Sequence, residues 1–319
     1  MSDVAHLQEL HGLAAFDFPD PSSREELPEA GAVAWRLSVD PYGDNPQEGF
    51  DDLWNRFLGS VDPAGVRAIV VGQWGEPYDN DSSGIVRCLV DARDRLTSLR
   101  AVFLGDLEME EAEISWIEQS DVAPVLEAYP LLQEFGIRGG TGLRFPAVRH
   151  THLNSLRFEA GGLPGEVVRG VAASELPALE SLVLWFGVEE YGGDATVADL
   201  APILAGGGFP ALRHLGLCNS EIQDEIAAAV AGAPLVAQLS SLDLSLGVLT
   251  DTGAEALLSG QPLTHLKRLD LHHNFVTEPV AGRIRAALEP SGVDIDLSEP
   301  GDFWEDDEGV VHRYTAVAE

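Results

Sequence analysis

The sequence is poor in cysteine: Cys88 and Cys218 are the only two among 319 residues. Cys88 falls in a segment with helical periodicity and Cys218 follows a predicted strand, so we expect the two thiols to lie far apart. A disulfide framework is therefore excluded, which favours a reducing compartment.

Long hydrophobic runs are also missing. No stretch approaches the ~20 apolar residues that a membrane-spanning helix needs. The first residues, MSDVAHLQEL, contain neither the basic region nor the apolar region of a secretory signal. We therefore expect a cytoplasmic protein that does not associate with a membrane.

Basic side chains are scarce. Lys and Arg number 19 against 53 Asp and Glu, which gives a formal net charge of −34. A surface this negative repels the phosphates of nucleic acids and anionic lipids. A basic protein partner would suit it, although the same charge can also serve solubility alone.

What the sequence does contain is a repeat, most visible in residues 239–276. The apolar residues of one unit recur 27 residues later: Leu239, Leu242, Leu244 and Leu249 correspond to Leu266, Leu269, Leu271 and Val276. The spacing is L-x-x-L-x-L-x-x-N-x-L, in which the fourth and sixth places lie on the same side of a short strand. Because one unit cannot bury its apolar face alone, neighbouring units must stack.

The same spacing predicts ten strands along the chain. Most steps between them are long enough for a crossover helix, but the step within residues 135–156 is too short and too rich in Gly and Pro. Tryptophans and most phenylalanines are expected to pack between these elements. The fourth and sixth places fall at Leu37 and Val39, Ile69 and Val71, Val102 and Leu104, Phe135 and Ile137, Leu156 and Phe158, Leu182 and Leu184, Leu215 and Leu217, Leu242 and Leu244, Leu269 and Leu271, and Ile295 and Leu297.

This pattern predicts one elongated α/β domain over residues 32–298. Residues 1–31 lack the repeat and contain a strand-like segment, so we interpret them as an N-terminal cap. Residues 299–319 begin with an acidic run and end with the alternating segment VVHRYTAV. We interpret them as an acidic C-terminal capping segment whose charged part is solvated.

The segments LDLSLGVLTDTGAEALL and LTHLKRLDLHHNFV resemble repeats of ribonuclease-inhibitor-type leucine-rich repeat proteins. That resemblance implies a right-handed α/β solenoid bent into a horseshoe, with a parallel sheet on the concave face and helices on the convex face. It also implies protein binding by the concave face and no catalysis. The whole chain, including ISWIEQSD, GGDATVADLAPIL and RYTAVAE, is similar to an uncharacterised bacterial leucine-rich repeat family. The ninth place departs from the usual pattern, because only Asn274 supplies the typical asparagine.

The outward-facing places from the fourth strand to the ninth carry most of the polar and aromatic variety, and we place the binding site between the sixth strand and the ninth. We expect the third, fifth, seventh and eighth places to line the open face of the sheet. Exposed aromatic side chains among acidic groups are typical of a protein-binding surface. An insertion at residues 191–194 could instead cover the aromatic pair. The predicted partner-binding residues are Trp185, Phe186, His214, Asn219, Asp243, Asp270 and His272.

An enzyme or metal-dependent module is the alternative function. Cys218, Ser245 and His272 share the seventh place, but a flat sheet offers no evident oxyanion hole. Asp243 and Asp270 share the fifth place, where like charges favour a cation or a compensating arginine such as Arg268. A zinc site from His214, Cys218 and His272 would have to span two strands, and the glycines of GGTGL lack the rest of a phosphate-binding motif. We therefore predict a non-enzymatic protein without catalytic residues, metal or cofactor.

Overall fold

A single long sheet organises the computed structural model, which describes residues 4–40, 48–306 and 308–318. Parts of the expected N-terminal cap, repeat domain and C-terminal segment, namely residues 1–3, 41–47, 307 and 319, lie outside the described residues. Twelve strands form the sheet in the order in which they occur in the sequence. They are β1 (Glu9–Leu10), β2 (Leu13–Asp17), β3 (Ala34–Leu37), β4 (Ala68–Val71), β5 (Ala101–Leu104), β6 (Glu134–Arg138), β7 (Ser155–Glu159), β8 (Ser181–Gly187), β9 (His214–Ser220), β10 (Ser241–Asp243), β11 (Arg268–Asp270) and β12 (Asp294–Asp296).

The sheet is open and mostly parallel. Only β1 and β2 pair antiparallel, whereas every pair from β2 to β12 is parallel. Parallel neighbours need a crossover, and eight α-helices within the described ranges supply most of these connections. The helices are α1 (Phe50–Ser60), α2 (Ser83–Asp91), α3 (Ala123–Ala128), α4 (Gly165–Ala173), α5 (Val197–Leu204), α6 (Gln223–Ala231), α7 (Asp251–Ser259) and α8 (Glu278–Leu288). The protein is thus an α/β protein in which strands and helices alternate.

Strands β3 to β12 are the ten strands that the repeat spacing predicts. Leu215, Leu242 and Leu269 lie in register on neighbouring strands. All three are buried, and so are the leucines at the sixth places that follow them. As expected, the described chain between β6 and β7 contains no α-helix.

The register of β3 differs from the prediction by two residues. Ile69 of β4 pairs with Trp35, and Leu37 pairs with Val71. A shift of two residues keeps the same side chains facing the core, so the apolar alternation alone could not reveal it. Trp35 therefore occupies the fourth place, where its ring packs edge-on against Phe18 and beside Phe57 of α1.

One continuous core lies between the sheet and the helices. It contains the leucines of the fourth and sixth places together with the apolar stripes of the helices, such as Val167, Val168 and Val171 of α4. We call the opposite side of the sheet the outer face. None of the helices in the described ranges is both long and apolar enough to cross a membrane.

The N-terminal half of the outer face is covered by the chain itself. Small side chains line it there, and Leu10 of β1 packs onto Ala68, Ala101 and Phe103 in a second, smaller apolar cluster. The ring of Phe103 lies over Gly136 of β6, at a position that a side chain would fill. The β1–β2 hairpin thus shields strands β3 to β6 from solvent.

Buried charges hold the same hairpin in place. The carboxylate of Asp106 accepts a hydrogen bond from the Leu7 N–H at 2.9 Å, and Arg36 donates to the Leu7 carbonyl. Arg138 donates to the carbonyl of Ala5 at 3.2 Å. Asp106 and Arg138 are almost fully buried, with Arg138 also bound to Glu159 at 2.8 Å. These side chains recognise the main chain of an extended segment, a contact that no spacing in the sequence predicts.

The C-terminal residues leave β12 and return along the carboxyl ends of the strands. A separate two-stranded hairpin, β13 (Phe303–Glu305) and β14 (Val311–Arg313), comes first. The Ala316 N–H then donates to the Leu246 carbonyl at 2.8 Å. Trp304 in this hairpin and Trp116 are largely exposed, so the expectation that the tryptophans are packing residues is wrong for these two.

Candidate functional site

The C-terminal half of the outer face carries most of the residues that the sequence singled out. Strands β8 to β12 present alternate side chains on this face, because each inward neighbour is a leucine or isoleucine of the core. We call this surface the C-terminal outer face. It comprises Trp185, His214, Ser241, Asp243, Arg268, Asp270, His272, Asp294 and Asp296.

Trp185 is the aromatic residue of this surface. It lies on β8 between two buried residues and is itself only partly buried. In the sheet it pairs with Cys218 of β9. An indole in this position can offer apolar contact area while its neighbours on the strand hold it in place.

Phe186 does not belong to the surface, contrary to the prediction that both aromatics face outward. Its side chain is 3% exposed and lies in the main core. Strand β8 continues to Gly187, so strict alternation turns Phe186 to the same side as Leu182 and Leu184. The insertion approaches this position through the backbone: a Cβ on Gly193 would lie 2.9 Å from the Phe186 carbonyl.

Asn219 does not lie on the surface either, contrary to the prediction. It is fully buried under the C-terminal residues. Its amide oxygen accepts from the Val317 N–H at 3.0 Å, and its amide nitrogen donates to the Val317 carbonyl. Asn219 has a φ of 54°, a left-handed conformation that asparagine tolerates better than most residues. Its role is to fasten the end of the chain.

His214 and Ser241 form a pair that the sequence did not single out. The two residues occupy the same place on neighbouring strands, and the His214 Nδ1 lies 2.7 Å from the Ser241 Oγ. Burial lowers the pKa of His214 despite the nearby carboxylate of Asp243. The shared third place of adjacent repeats was the signal that could have revealed this contact.

A serine bonded to an imidazole resembles part of a nucleophilic site, but the backbone does not complete one. The Ser241 N–H donates to the Arg213 carbonyl and the His214 N–H to the Glu180 carbonyl. Both backbone N–H groups are thus engaged in hydrogen bonds between strands. They cannot stabilise an oxyanion unless those hydrogen bonds break. For Cys218, burial raises the pKa well above its usual range, so the thiol is protonated and a poor nucleophile.

Three aspartates stand side by side across the last strands. Asp243 pairs with Asp270, and Asp270 pairs with Asp296. Each carboxylate accepts a hydrogen bond from the backbone N–H two residues further on, at 3.0, 3.1 and 3.0 Å. The residue after each of these turns has a positive φ: Leu246, His273 and Glu299. The repeated aspartate therefore ends each strand, which is a structural reason for its recurrence at the same place. The repeat spacing did not indicate this role.

Arg268 compensates much of the charge in this row. Its guanidinium lies 2.8 Å from Asp270, 3.0 Å from Asp294 and 3.1 Å from Asp296. One cation thus contacts three carboxylates. Asp270 and Asp296 belong to the row for which a compensating arginine was expected, and Asp294 lies beside it. The arrangement relieves the repulsion between like charges on neighbouring strands.

His272 adds a second cationic partner. Its Nδ1 lies 2.7 Å from the Asp270 carboxylate. Burial opposes ionisation of Asp270, but hydrogen bonds from His272 and Arg268 outweigh it and lower the pKa of the carboxyl to about 2. The same hydrogen bond, which His272 donates to the Asp270 carboxylate, raises the pKa of His272. The imidazolium form is therefore favoured by this contact.

Asp270, His272 and Asp296 are the one group of possible metal ligands among the described residues, with ligand atoms within 4.8 Å of one another. A cation there would have to displace Arg268 from two carboxylates and break the contact between Asp270 and His272. The arrangement is better suited to an internal ion network than to a metal centre. The zinc ligands considered from the sequence were His214, Cys218 and His272. Within the described residues, these three side chains do not come close enough to bind one metal ion.

No protein-family model matches the chain, and no curated protein is similar to it. Twelve solved protein chains are similar to it. One is the crystal structure of a Bacteroides fragilis protein, which is 31% identical in sequence and superposes with a TM-score of 0.79. The similarity covers 89% of the present chain and 77% of the other. The description of that protein states neither an activity nor a ligand.

Proposed function

The chain belongs to the same protein family as the Bacteroides fragilis protein, and we propose that it is a non-enzymatic, cytoplasmic protein-binding scaffold or inhibitor. In this proposal the long parallel sheet is the concave face of a leucine-rich repeat solenoid of the ribonuclease-inhibitor type. The C-terminal outer face holds a protein partner that has a basic surface.

The observation that carries the proposal is the half-covered outer face. The β1–β2 hairpin covers strands β3 to β6 with its own apolar and main-chain contacts. On strands β8 to β12, in contrast, the same face carries a partly exposed tryptophan on β8 and a row of carboxylates on β10 to β12. An aromatic side chain offers desolvated contact area, and carboxylates steer a basic partner towards it.

Five of the seven predicted residues remain in the proposed contact surface. Trp185 would be the anchor, and the polar residues around it would form the rim, which is normally the more hydrated part of an interface. Phe186 lies in the core and Asn219 binds Val317, so neither is proposed to touch the partner. The polar rim residues are His214, Asp243, Asp270 and His272.

The ion network around Asp270 favours a partner that matches both the shape and the charge of this surface. Arg268 and His272 hold Asp270 in one orientation, so the carboxylates are positioned before a partner arrives. A preorganised surface spends less free energy on ordering side chains when it binds. Because part of the attraction is electrostatic, binding should weaken as salt rises.

Partner capture with matched variants tests the proposal. The wild-type protein, Trp185→Ala and Glu225→Ala would be immobilised and exposed to native lysate at two salt concentrations, with captured proteins quantified by mass spectrometry. Glu225 is exposed on α6, on the helical side, and serves as the control. We expect a partner that is lost from Trp185→Ala at least tenfold more than from Glu225→Ala. Loss in the control but not in Trp185→Ala, with both variants folded, would refute the assignment to the outer face.

A further inference from the structure

The β13–β14 hairpin concentrates exposed hydrophobic side chains. Among the described residues, eight large hydrophobic side chains are exposed, and four of them lie in residues 303–314. They are Phe303 (63% exposed), Trp304 (49%), Val310 (51%) and Tyr314 (56%). Such a concentration on so short a segment marks a surface that a partner covers.

One side of this hairpin has an ordered arrangement of rings. Trp304 pairs with His312 across the two strands, and their rings stack with centroids 4.3 Å apart. The indole N–H of Trp304 donates to the Tyr314 hydroxyl at 2.7 Å. His312 in turn contacts the Asp306 carboxylate at 3.0 Å. The Trp304 and Tyr314 rings are therefore held in position although both side chains are exposed.

Asp306, which follows β13, also bonds to residues that precede β14. The Asp306 carboxylate accepts hydrogen bonds from the N–H groups of Glu308 and Val310, both at 2.9 Å. At the base of the hairpin, the Gly301 N–H donates to the Asn274 carbonyl and the Arg313 guanidinium lies over the Phe275 ring. The hairpin is thus anchored to the end of β11 at its base while its ring-bearing side faces solvent.

A two-stranded ribbon of this size is marginal by itself. Each strand has three residues, and an isolated two-stranded hairpin needs a third strand or a packing surface for stability in water. Its aromatic side chains would gain free energy by leaving water, and a partner segment can supply the missing surface.

The charge around the rings selects the kind of partner. Residues 299–309 contain six acidic side chains and no basic one. Glu305 and Glu308 are exposed close to Trp304 in the sequence, and Asp306 is tied to His312. A lysine or arginine side chain can lie on an aromatic face while its charge meets these carboxylates.

We propose that the hairpin of residues 303–314 is a second docking surface, which binds a lysine- or arginine-rich protein segment that also carries apolar side chains. The segment lies against Trp304, His312 and Tyr314, and its cations meet exposed acidic side chains of the same stretch of chain, such as Glu308. This surface is separate from the C-terminal outer face, and its occupancy does not depend on Trp185.

Direct binding to defined peptides tests the proposal. The probe is a fluorescein-labelled twelve-residue peptide of alternating Lys and Leu, and fluorescence anisotropy measures its Kd for the full chain. A Lys/Ser peptide of equal charge and a Glu/Leu peptide of equal hydrophobicity are the matched probes. We expect saturable binding of Lys/Leu, at least tenfold weaker binding of Lys/Ser, and no detectable binding of Glu/Leu. Equal affinity for Lys/Leu and Lys/Ser would reduce the effect to unspecific charge attraction and overturn the proposal, as would the absence of saturable binding.

Variants locate the surface. Trp304→Ala should raise the Kd for Lys/Leu at least tenfold. Trp116→Ala, which removes an equally exposed tryptophan elsewhere, should leave the Kd within a factor of two, and so should Trp185→Ala. An equal loss in Trp116→Ala would overturn the proposal, and a loss in Trp185→Ala alone would move the binding to the outer face.

A conservative variant distinguishes loss of the contact surface from unfolding of the hairpin. Trp304→Phe keeps an aromatic face but cannot donate to the Tyr314 hydroxyl, so we expect binding within about threefold of wild type. Hydrogen exchange at Val311 and Arg313 reports whether the ribbon remains paired. Loss of binding in Trp304→Phe with the ribbon intact would refute the ring face as the contact surface.

Discussion

Replacing Asp270 with asparagine tests the ion network at the centre of the C-terminal outer face. The carboxylate contacts Arg268 at 2.8 Å and His272 at 2.7 Å, and its pKa in the folded protein is about 2. The unfolded chain should have a pKa of about 3.9 for the same group. This difference stabilises the folded state by roughly 2–3 kcal/mol at a pH where the carboxyl is ionised in both states.

The sign of the pH dependence follows from the direction of each pKa change. Because the pKa of Asp270 is lowered on folding, its stabilisation is complete above about pH 4–5 and is lost as the pH falls towards 2, with roughly half remaining at pH 3. The pKa of His272 is raised, so its part is complete below about pH 6.5 and is lost as the pH rises through the folded value. The network should therefore contribute most near pH 5.

Urea unfolding of wild type and Asp270→Asn between pH 3 and pH 9 measures this contribution. We expect a difference in unfolding free energy of about 2–3 kcal/mol at pH 5, a smaller one at pH 3, and an intermediate one above pH 8, where Arg268 still contributes. In the variant, an NMR titration should find a lower pKa for His272 than in wild type.

Asp294→Asn is the matched control for this experiment. Asp294 contacts the same arginine, but 67% of its side chain is exposed. Exposed ion pairs contribute little, so we expect a change below about 1 kcal/mol. A difference for Asp270→Asn that is independent of pH, or one no larger than that of Asp294→Asn, would contradict the reasoning.

Three further predictions concern the core, the buried charges and cations. Leu242→Ala should lower the unfolding free energy by roughly 2–5 kcal/mol in urea denaturation, because it leaves a cavity between the sheet and the helices; a change below about 1 kcal/mol would contradict the assignment to the core. Arg138→Met should cost about 3–5 kcal/mol because it leaves the buried Glu159 with only the partly exposed Arg157 as an ionic partner and also removes a contact to the buried Asp106. Arg149→Met, at an exposed pair, should cost less than about 1 kcal/mol. Millimolar calcium or magnesium should hardly move the thermal midpoint; a large upward shift that Asp270→Asn abolishes would show that a cation replaces Arg268.

The sequence was informative where structure repeats. Leucines at the fourth and sixth places predicted the ten strands from β3 to β12, because a period of two within the strand and a fixed step between strands leave few alternatives. The short step before Leu156 likewise predicted a connection without a helix. The contact between Arg268 and Asp270 followed from the alternation within a strand, since the third and fifth places point to the same face.

Contacts outside the repeat could not be predicted in this way. The position of Phe186 depends on how far β8 continues, which the repeat spacing does not fix. Asn219 is buried because of Val317, a residue 98 positions away. The hairpin over β3 to β6 depends on main-chain groups, such as the Leu7 N–H, which every sequence provides. Such contacts carry no sequence pattern that could have predicted them.

The fastening of both described ends onto the middle of the chain has a consequence for how the protein folds. Strand pairs join residues about 20 to 35 positions apart, so they can form one after another as the chain is synthesised. The hydrogen bond from Arg138 to Ala5 spans 133 positions, and that from Val317 to Asn219 spans 98. The first therefore cannot form until β6 has been made, and the second must wait until Val317 has left the ribosome. A chain built largely from local steps should thus unfold as one cooperative unit only after Val317 has been made and has bonded to Asn219.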